Sequence, residues 1–385
     1  MVRRILLWFV LPLMVLTAVF FAGGGWYFAG EIRSDGLVVR HGPTEYNLVV
    51  VSASDGSVTL REAAGQERDA NLRSTATYGL QWPGGSGVLG PVRVAAGDAV
   101  ARPLTVKTGS APRPGVQATL NKDVFVDPLS AHGTRFQNVS YGCAGGRCPA
   151  WFVPGTSTTW AVMVHGKGGT RSEPLRALGT VVDAKMPALL VTYRNDVGAP
   201  PDPSGYYRYG DTEWQDVDSA VGYALAQGAR RVVLFGWSMG GGIVASFLEH
   251  SPRANRVTGV VLDSPMLDFR RTVEYGASQR DLPVVGLPVP PPLTTVATAI
   301  AGWRYDIAWD RIDYLDGGWL RVPTLIYHGT ADLTVPIATS DDLARRRPDL
   351  VREVRVAGAE HTESWNADPG DYTAQLASYL APLAR

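Results

Sequence analysis

The chain has 385 residues and no net charge, with 45% apolar and 19% charged side chains. That is enough apolar material for a large core and more than one domain, and it excludes a disordered chain. A charge of zero also excludes the basic footprint of nucleic-acid binding, so no nucleic-acid partner is expected.

Val2-Arg3-Arg4 precedes an uncharged run from Ile5 to Gly30. Its strongly apolar part, Ile5 to Ala22, would span about 27 Å as a helix, close to the hydrocarbon thickness of a bilayer. Trp26 and Tyr27 fall where an interfacial aromatic belt would lie. The apolar region of a secretory signal peptide is shorter, so residues 1–30 read as an uncleaved transmembrane anchor. Arg3 and Arg4 hold its start inside by the positive-inside rule, which makes this a single-pass protein of the cell membrane with the rest of the chain extracytoplasmic.

Residues 31–135 read as a small all-β domain. Short β-like runs (Leu48–Ser52, Ser57–Leu60, Val92–Ala95, Leu104–Val106 and Val116–Leu120) alternate with turn signals such as Asp55-Gly56 and Pro83-Gly84-Gly85. No cluster of His, Cys or acids there suggests chemistry, so this part reads as a spacer. Cys143 and Cys148 follow in YGCAGGRCPAW. In an exported chain they pair as a small hairpin disulfide, and two cysteines are too few ligands for structural zinc.

From Phe136 strands and helices alternate, as in a mostly parallel sheet covered on both faces. Trp160–His165 and Ala188–Tyr193 are strands. Thr212-Glu213-Trp214-Gln215 reads as a capping box for the crossover helix behind it. Val232–Phe235 is a buried strand leading into Gly236-Trp237-Ser238-Met239-Gly240, a G-x-S-x-G before an apolar helical pattern. Strand, tight turn, Ser and helix together make a nucleophile elbow. Gly259–Leu262, Pro323–Tyr327 and Glu353–Val356 are later strands. Residues 266–319, rich in Pro and aromatics, break the rhythm with little regular pattern and read as a lid-like insertion.

Of the six histidines, His361 alone occupies a loop after the last strand, where it reaches the carboxyl ends of the sheet. His41, His132, His165, His250 and His328 lie at domain edges, strand ends or the far end of a helix. Two acids stand near strand ends. Asp332 lies in the loop beyond its strand and 29 residues before His361, whereas Asp263 precedes Ser264-Pro265 and reads as turn-forming. Ser238, Asp332 and His361 are therefore the expected catalytic set.

These ordered motifs, namely G-W-S-M-G, H-G-K-G at 165–168, HGTAD at 328–332 and G-x-x-H at 358–361, resemble the α/β-hydrolase family over residues 136–385. They are most similar to its membrane-anchored bacterial members, the serine aminopeptidase and monoglyceride-lipase-like group. The resemblance implies an α/β-hydrolase catalytic domain and backbone N–H oxyanion donors at Lys167 and Met239. It implies a serine hydrolase that cleaves a small-molecule or lipid-like acyl ester through an acyl-enzyme, without metal or organic cofactor. Acyltransferase or peptidase chemistry on the same three residues, and a silent envelope-binding or scaffold module, are the alternatives.

Overall fold

The computed structural model describes residues 2–283 and 286–384. Helix α1 (Val2–Glu31) runs past Pro12 and continues into a π-helical turn, Ile32–Leu37. Leu11, Leu13, Met14 and Leu16 stand exposed on it, whereas Ala29 and Leu37 are buried. Among the described residues this is the helix long and apolar enough to cross a membrane. Met1 and the side chains of residues 2–9, including Arg3 and Arg4, lie outside the described residues.

Seven strands follow: β1 (Leu48–Ser54), β2 (Ser57–Glu62), β3 (Tyr78–Trp82), β4 (Gly85–Leu89), β5 (Val94–Ala96), β6 (Ala99–Gly109) and β7 (Gln117–Asn121). Their order is β2-β1-β7-β3-β4-β6-β5, and β2 pairs again with β6, so six of them close into a small barrel. Closure removes open edges, and Leu48, Val50, Leu60, Leu80 and Val100 fill the interior. The sequence reading passed over β3 and β4 because Tyr78–Leu89 is rich in turn residues. Gly87 is not in a turn. A Cβ there would meet the Thr105 carbonyl at 2.8 Å, so the glycine marks a close approach of β4 to β6.

A short helix, α2 (Pro128–His132), leads to β8 (Gln137–Cys143) and β9 (Gly146–Val153), then β10 (Thr159–Val164), α3 (Leu175–Asp183) and β11 (Ala188–Val191). Next come α4 (Trp214–Ala226), β12 (Arg231–Trp237), α5 (Met239–His250), β13 (Val257–Asp263), α6 (Phe269–Ser278) and α7 (Pro291–Tyr305). The chain ends with β14 (Thr324–Gly329), α8 (Ala338–Arg346), β15 (Val351–Val356), α9 (Ser364–Ala367) and α10 (Pro369–Leu380). These strands form one sheet in the order β15-β14-β13-β12-β10-β11-β9-β8, parallel from β15 to β11.

Period-two alternation splits each central strand between two cores. Val162, Val164, Leu234 and Leu262 face α4 and α5 through Val217, Val221, Ile243 and Phe247. Ala161, Met163, Val233 and Phe235 face α3 and α10 through Leu178, Val181, Leu376 and Leu380.

Two local expectations are corrected. The insertion at 266–319 is largely helical. Asp268 caps α6 by accepting the Arg271 N–H at 3.0 Å, and Pro291 opens α7 at a position where a missing N–H costs nothing. Val284 and Val285 of that stretch lie outside the described residues. The capping box at Thr212–Gln215 does not form: Thr212 Oγ1 donates to Asp202, and Glu213 accepts the N–H groups of Arg208 and Gly210 at 2.7 and 3.0 Å. A buried loop with no ladder partners needs those acceptors more than the helix does.

Cys143 and Cys148 are joined as a disulfide at the tip of the β8–β9 hairpin. They are only 5 positions apart in sequence, so the loop-entropy contribution is small, about 2 kcal/mol. The Cys143→Ser/Cys148→Ser double variant should remain folded, with stability lowered by about that amount in thermal or denaturant unfolding.

Candidate active site

Parallel strands end on one side of a sheet, and the loops beyond those ends carry the candidate residues. Ser238 follows β12, the Gly166–Gly169 loop follows β10, Asp332 follows β14 and His361 follows β15. Ser238 has φ 50° and ψ −120°, a costly conformation for a side-chain-bearing residue. Its backbone is pinned by its own N–H to the Asp263 carbonyl at 3.0 Å and by its carbonyl to the N–H groups of Met266 and Gly241, both 2.9 Å. A Cβ on Gly240 would lie 2.3 Å from the Val164 carbonyl, and one on Gly236 would lie 2.6 Å from the Gly240 carbonyl. Both outer glycines of G-x-S-x-G are thus sterically required.

The structure brings Ser238, Asp332 and His361 together. Ser238 Oγ is 2.8 Å from His361 Nε2, and His361 Nδ1 is 2.8 Å from Asp332 Oδ2. Asp332 is buried and its Oδ1 accepts the backbone N–H groups of Thr334 and Val335 at 2.8 and 2.9 Å. Burial pulls its carboxyl upward, but hydrogen bonds from His328 and His361 and the backbone hold it far below the usual carboxylate range. An ionised carboxylate only accepts, so Nδ1 of His361 carries the proton and Nε2 is left to accept from Ser238. Gly329 makes this approach possible, because a Cβ there would meet the Ala359 carbonyl at 2.2 Å.

Asp263 lies elsewhere. Its side chain is buried under the elbow and accepts from Ser364 Oγ at 2.8 Å, with Oδ2 unpartnered and no turn of the expected kind. Burial pushes this carboxyl up to about 6.

The β10 loop passes directly against Ser238, since a Cβ on Gly166 would come 2.9 Å from Ser238 Cβ. Lys167 lines the same cavities as Ser238, and Met239 follows Ser238 as the first residue of α5. Three groups fix this side of the site; sequence reasoning gave His165 only as a strand-end residue serving loop geometry and did not assign Glu173 or Arg176. Buried Glu173 accepts the Gly166 N–H at 2.7 Å. His165 is held between the Gly166 carbonyl at 2.9 Å and Asp196 Oδ2 at 2.8 Å. Arg176 donates to the Thr362 carbonyl and to Asn366 Oδ1, each at 2.6 Å, and so ties α3 to the His361 loop. A charged i,i+3 pair, Glu173 and Arg176, opening an otherwise apolar helix was the one signal in the sequence.

The barrel also reaches this loop. Tyr78 donates to Glu363 Oε2 at 2.7 Å, Lys122 Nζ donates to Thr362 Oγ1 at 3.1 Å, and Asn366 Nδ2 donates to the Thr77 and Lys122 carbonyls at 2.8 and 2.9 Å. The β-rich part, expected as a spacer, therefore clamps the residues that follow His361.

Two cavities meet at Ser238. One, about 310 Å³, is mainly apolar and runs between α6, α7 and the end of α1. The other, about 210 Å³, is polar and lies toward the barrel, lined by Asn121, Lys122, Asp123, Lys167 and His361. Asp123 is pushed up by burial and by Glu173. Against its own burial, Glu173 is held low by Lys122, Arg176 and the Gly166 N–H.

A family model described as serine aminopeptidase, S33, matches residues 198–297, a stretch that contains Ser238 but not Asp332 or His361. The uncharacterized protein YfhR of Escherichia coli K12 is 21% identical over 264 residues, which cover 66% of this chain and 82% of that protein. YfhR of E. coli O157:H7 matches equally. Among solved structures, the esterase Pf2001 of Pyrococcus furiosus superposes with TM-scores of 0.52 and 0.51 in two crystal forms. It is 15% identical and covers 67% of this chain and 94–96% of its own, a likeness that shows the fold.

A pH dependence follows from His165. Burial works against its cation, but the Asp196 carboxylate and the Gly166 carbonyl outweigh this and raise its pKa to about 9. A raised folded-state value means stability fully present below the unfolded value near 6.5 and lost as pH rises through about 9. Thermal unfolding should show Tm falling across this window, and Asp196→Asn should flatten that fall.

Sheet order, the sequence of motifs at the strand ends and the match over residues 198–297 agree: this chain has the α/β-hydrolase fold, and the family match supports a hydrolase.

Proposed function

We propose that the protein is a serine hydrolase that cleaves an acyl ester through Ser238, His361 and Asp332. One observation carries the reading: the unbroken hydrogen-bond chain from Ser238 Oγ through His361 to Asp332, with 2.8 Å at both links. His361 Nε2 takes the Ser238 proton as Oγ attacks the ester carbonyl carbon. The negative oxygen of the tetrahedral intermediate is met by the backbone N–H groups of Lys167 and Met239. Collapse expels the alcohol, which leaves with the proton from His361. Water deprotonated by His361 then attacks the acyl-enzyme, and release of the acid returns the proton to Ser238.

The two cavities support an ester over a peptide. The apolar one suits an acyl chain, and the polar one, with Lys122 and Asn121, suits a hydroxyl-bearing leaving group.

The acid assignment has a sharp test. Asp332→Asn keeps the shape but favours the wrong imidazole tautomer, so turnover on a short ester should fall on the order of 10⁴-fold. Asp263→Asn should change turnover by less than about tenfold, because its carboxyl bonds to Ser364 and not to His361. Reversed results would transfer the acid role to Asp263.

We further place α1 in the cell membrane as a single-pass anchor, with the catalytic part extracytoplasmic. Arg3 and Arg4 before the apolar run and the paired cysteines support that orientation. Protease added to intact spheroplasts should remove the chain beyond Glu31 and leave a membrane-bound stub. A fully protected chain would put the catalytic part on the cytoplasmic side.

A further inference from the structure

The membrane helix does more than end near the enzyme; its last turns are part of the larger cavity. Phe28, Ile32 and Asp35 lie at i, i+4 and i+7 and line the space that reaches Ser238, opposite Val273 of α6 and Ala297 of α7. The helix is docked in one rotational setting. A Cβ on Gly24 would come 3.0 Å from Leu293 Cδ1, and one on Gly25 would come 2.6 Å from Val296 Cγ1. Two small residues thus let α1 lie tightly along α7, as in close helix pairs within bilayers. That packing fixes where Phe28 and Ile32 point. A charged clasp closes the same junction: Arg280 of the α6–α7 connection donates to Asp35 Oδ2 at 2.8 Å and stands 3.8 Å from Glu31. Lys167, beside the nucleophile, donates to the Asp35 carbonyl.

The cavity also lies at a defined depth. Phe28 follows Ala22, the end of the strongly apolar run, by about 9 Å along the helix. At this level both helices carry exposed aromatics. Trp26 is half-exposed, the Arg304 guanidinium stacks 3.5 Å over its ring, and neighbouring Trp303 is 79% exposed. Exposed Trp beside a cation, next to a bare apolar helix, is the signature of the membrane–water interface. The pocket therefore opens where lipid acyl chains begin.

We propose that the end of the membrane helix is the selectivity wall of the acyl pocket. Phe28 and Ile32 measure a long acyl chain of a membrane-partitioned lipid ester, which enters between α1 and the α6–α7 pair with its carbonyl carbon at Ser238. This rests on Ser238 being the nucleophile. It also gives the anchor a role that a cleavable leader could not fill, because removal at Ala22–Gly25 would strip the close-packed face that sets Phe28.

The test uses the full chain in detergent micelles. The selectivity ratio, kcat/KM for tetradecanoyl over butanoyl p-nitrophenyl ester, is measured for wild type, Phe28→Trp, Phe28→Ala and Phe20→Trp. Labelling by a fluorophosphonate probe is read on each. Filling the wall should lower the ratio at least tenfold in Phe28→Trp, chiefly through KM of the long ester. Phe28→Ala should move the preferred chain to greater length. Phe20→Trp lies on the same helix outside the cavity and should keep the wild-type ratio. If both Phe28 variants label at Ser238 yet keep the wild-type chain-length profile, the wall assignment is overturned and the serine-hydrolase reading stands. If folded wild type gives no adduct at Ser238, the parent reading fails and takes the proposal with it.

Discussion

The left-handed backbone of Ser238 is the constraint on which the rest of the site depends. A serine at φ 50° is unfavourable unless its surroundings over-determine it. Here β13 supplies the carbonyl that takes its N–H, and the segment after β13 supplies the Met266 N–H that takes its carbonyl. The end of β10 and its loop then cross so closely that only glycine fits at 166 and 240, and the first turn of α5 leaves no room for a side chain at 236. Once Oγ is presented above the strand ends, the β14 and β15 loops need only approach each other, and Gly329 allows that approach. Local strain at one residue therefore dictates glycine at positions dozens of residues away.

Around this centre the chain uses two unequal supports. The barrel grips the segment behind His361 with polar bonds from Tyr78, Thr77 and Lys122, and Arg102 stiffens the grip from within. That arginine is fully buried, donates to the carbonyls of Gly90 and Asn71, and stacks 5.6 Å from the Tyr78 ring. Burial lowers its pKa to about 10, still leaving it cationic at neutral pH. The opposite side is apolar and built by α1 with α6 and α7. A polar brace on one side and an apolar wall on the other give an ester two distinct ends to place.

What was legible in the sequence was what local sterics dictate. The elbow is read from G-x-S-x-G between a β-branched strand and an apolar helix, and the acid and base stations from loops after later strands. Loop position and the Ser264-Pro265 that follows Asp263 favour Asp332 over Asp263, and the structure brings Asp332 rather than Asp263 to His361. Tertiary contacts account for the rest. Strands β3 and β4 hide because Gly79, Gly85 and Gly87 serve close approach in a barrel, where sequence logic expects turns. Thr212 and Gln215 fit a capping box on paper, but Thr212 donates to Asp202 and Gln215 accepts from Arg194 instead. Helices α6 and α7 do carry apolar residues at helical spacing, Phe269, Val273 and Ala277 in one and Leu293, Val296, Ala297, Ile300 and Ala301 in the other, but the prolines around them at 283, 288 and 290–292 mask the pattern. Bonds such as Tyr78 to Glu363 join residues 285 apart, and no spacing rule reports them.

The central claim is that Ser238 is the nucleophile, activated by His361. The most direct measurement is peptide mass mapping of the folded full-length chain after reaction with a fluorophosphonate. The account predicts one adduct, on the peptide containing Gly236-Trp237-Ser238-Met239-Gly240, and none in Ser238→Ala. An adduct on another serine, or none in protein that unfolds cooperatively, would contradict it.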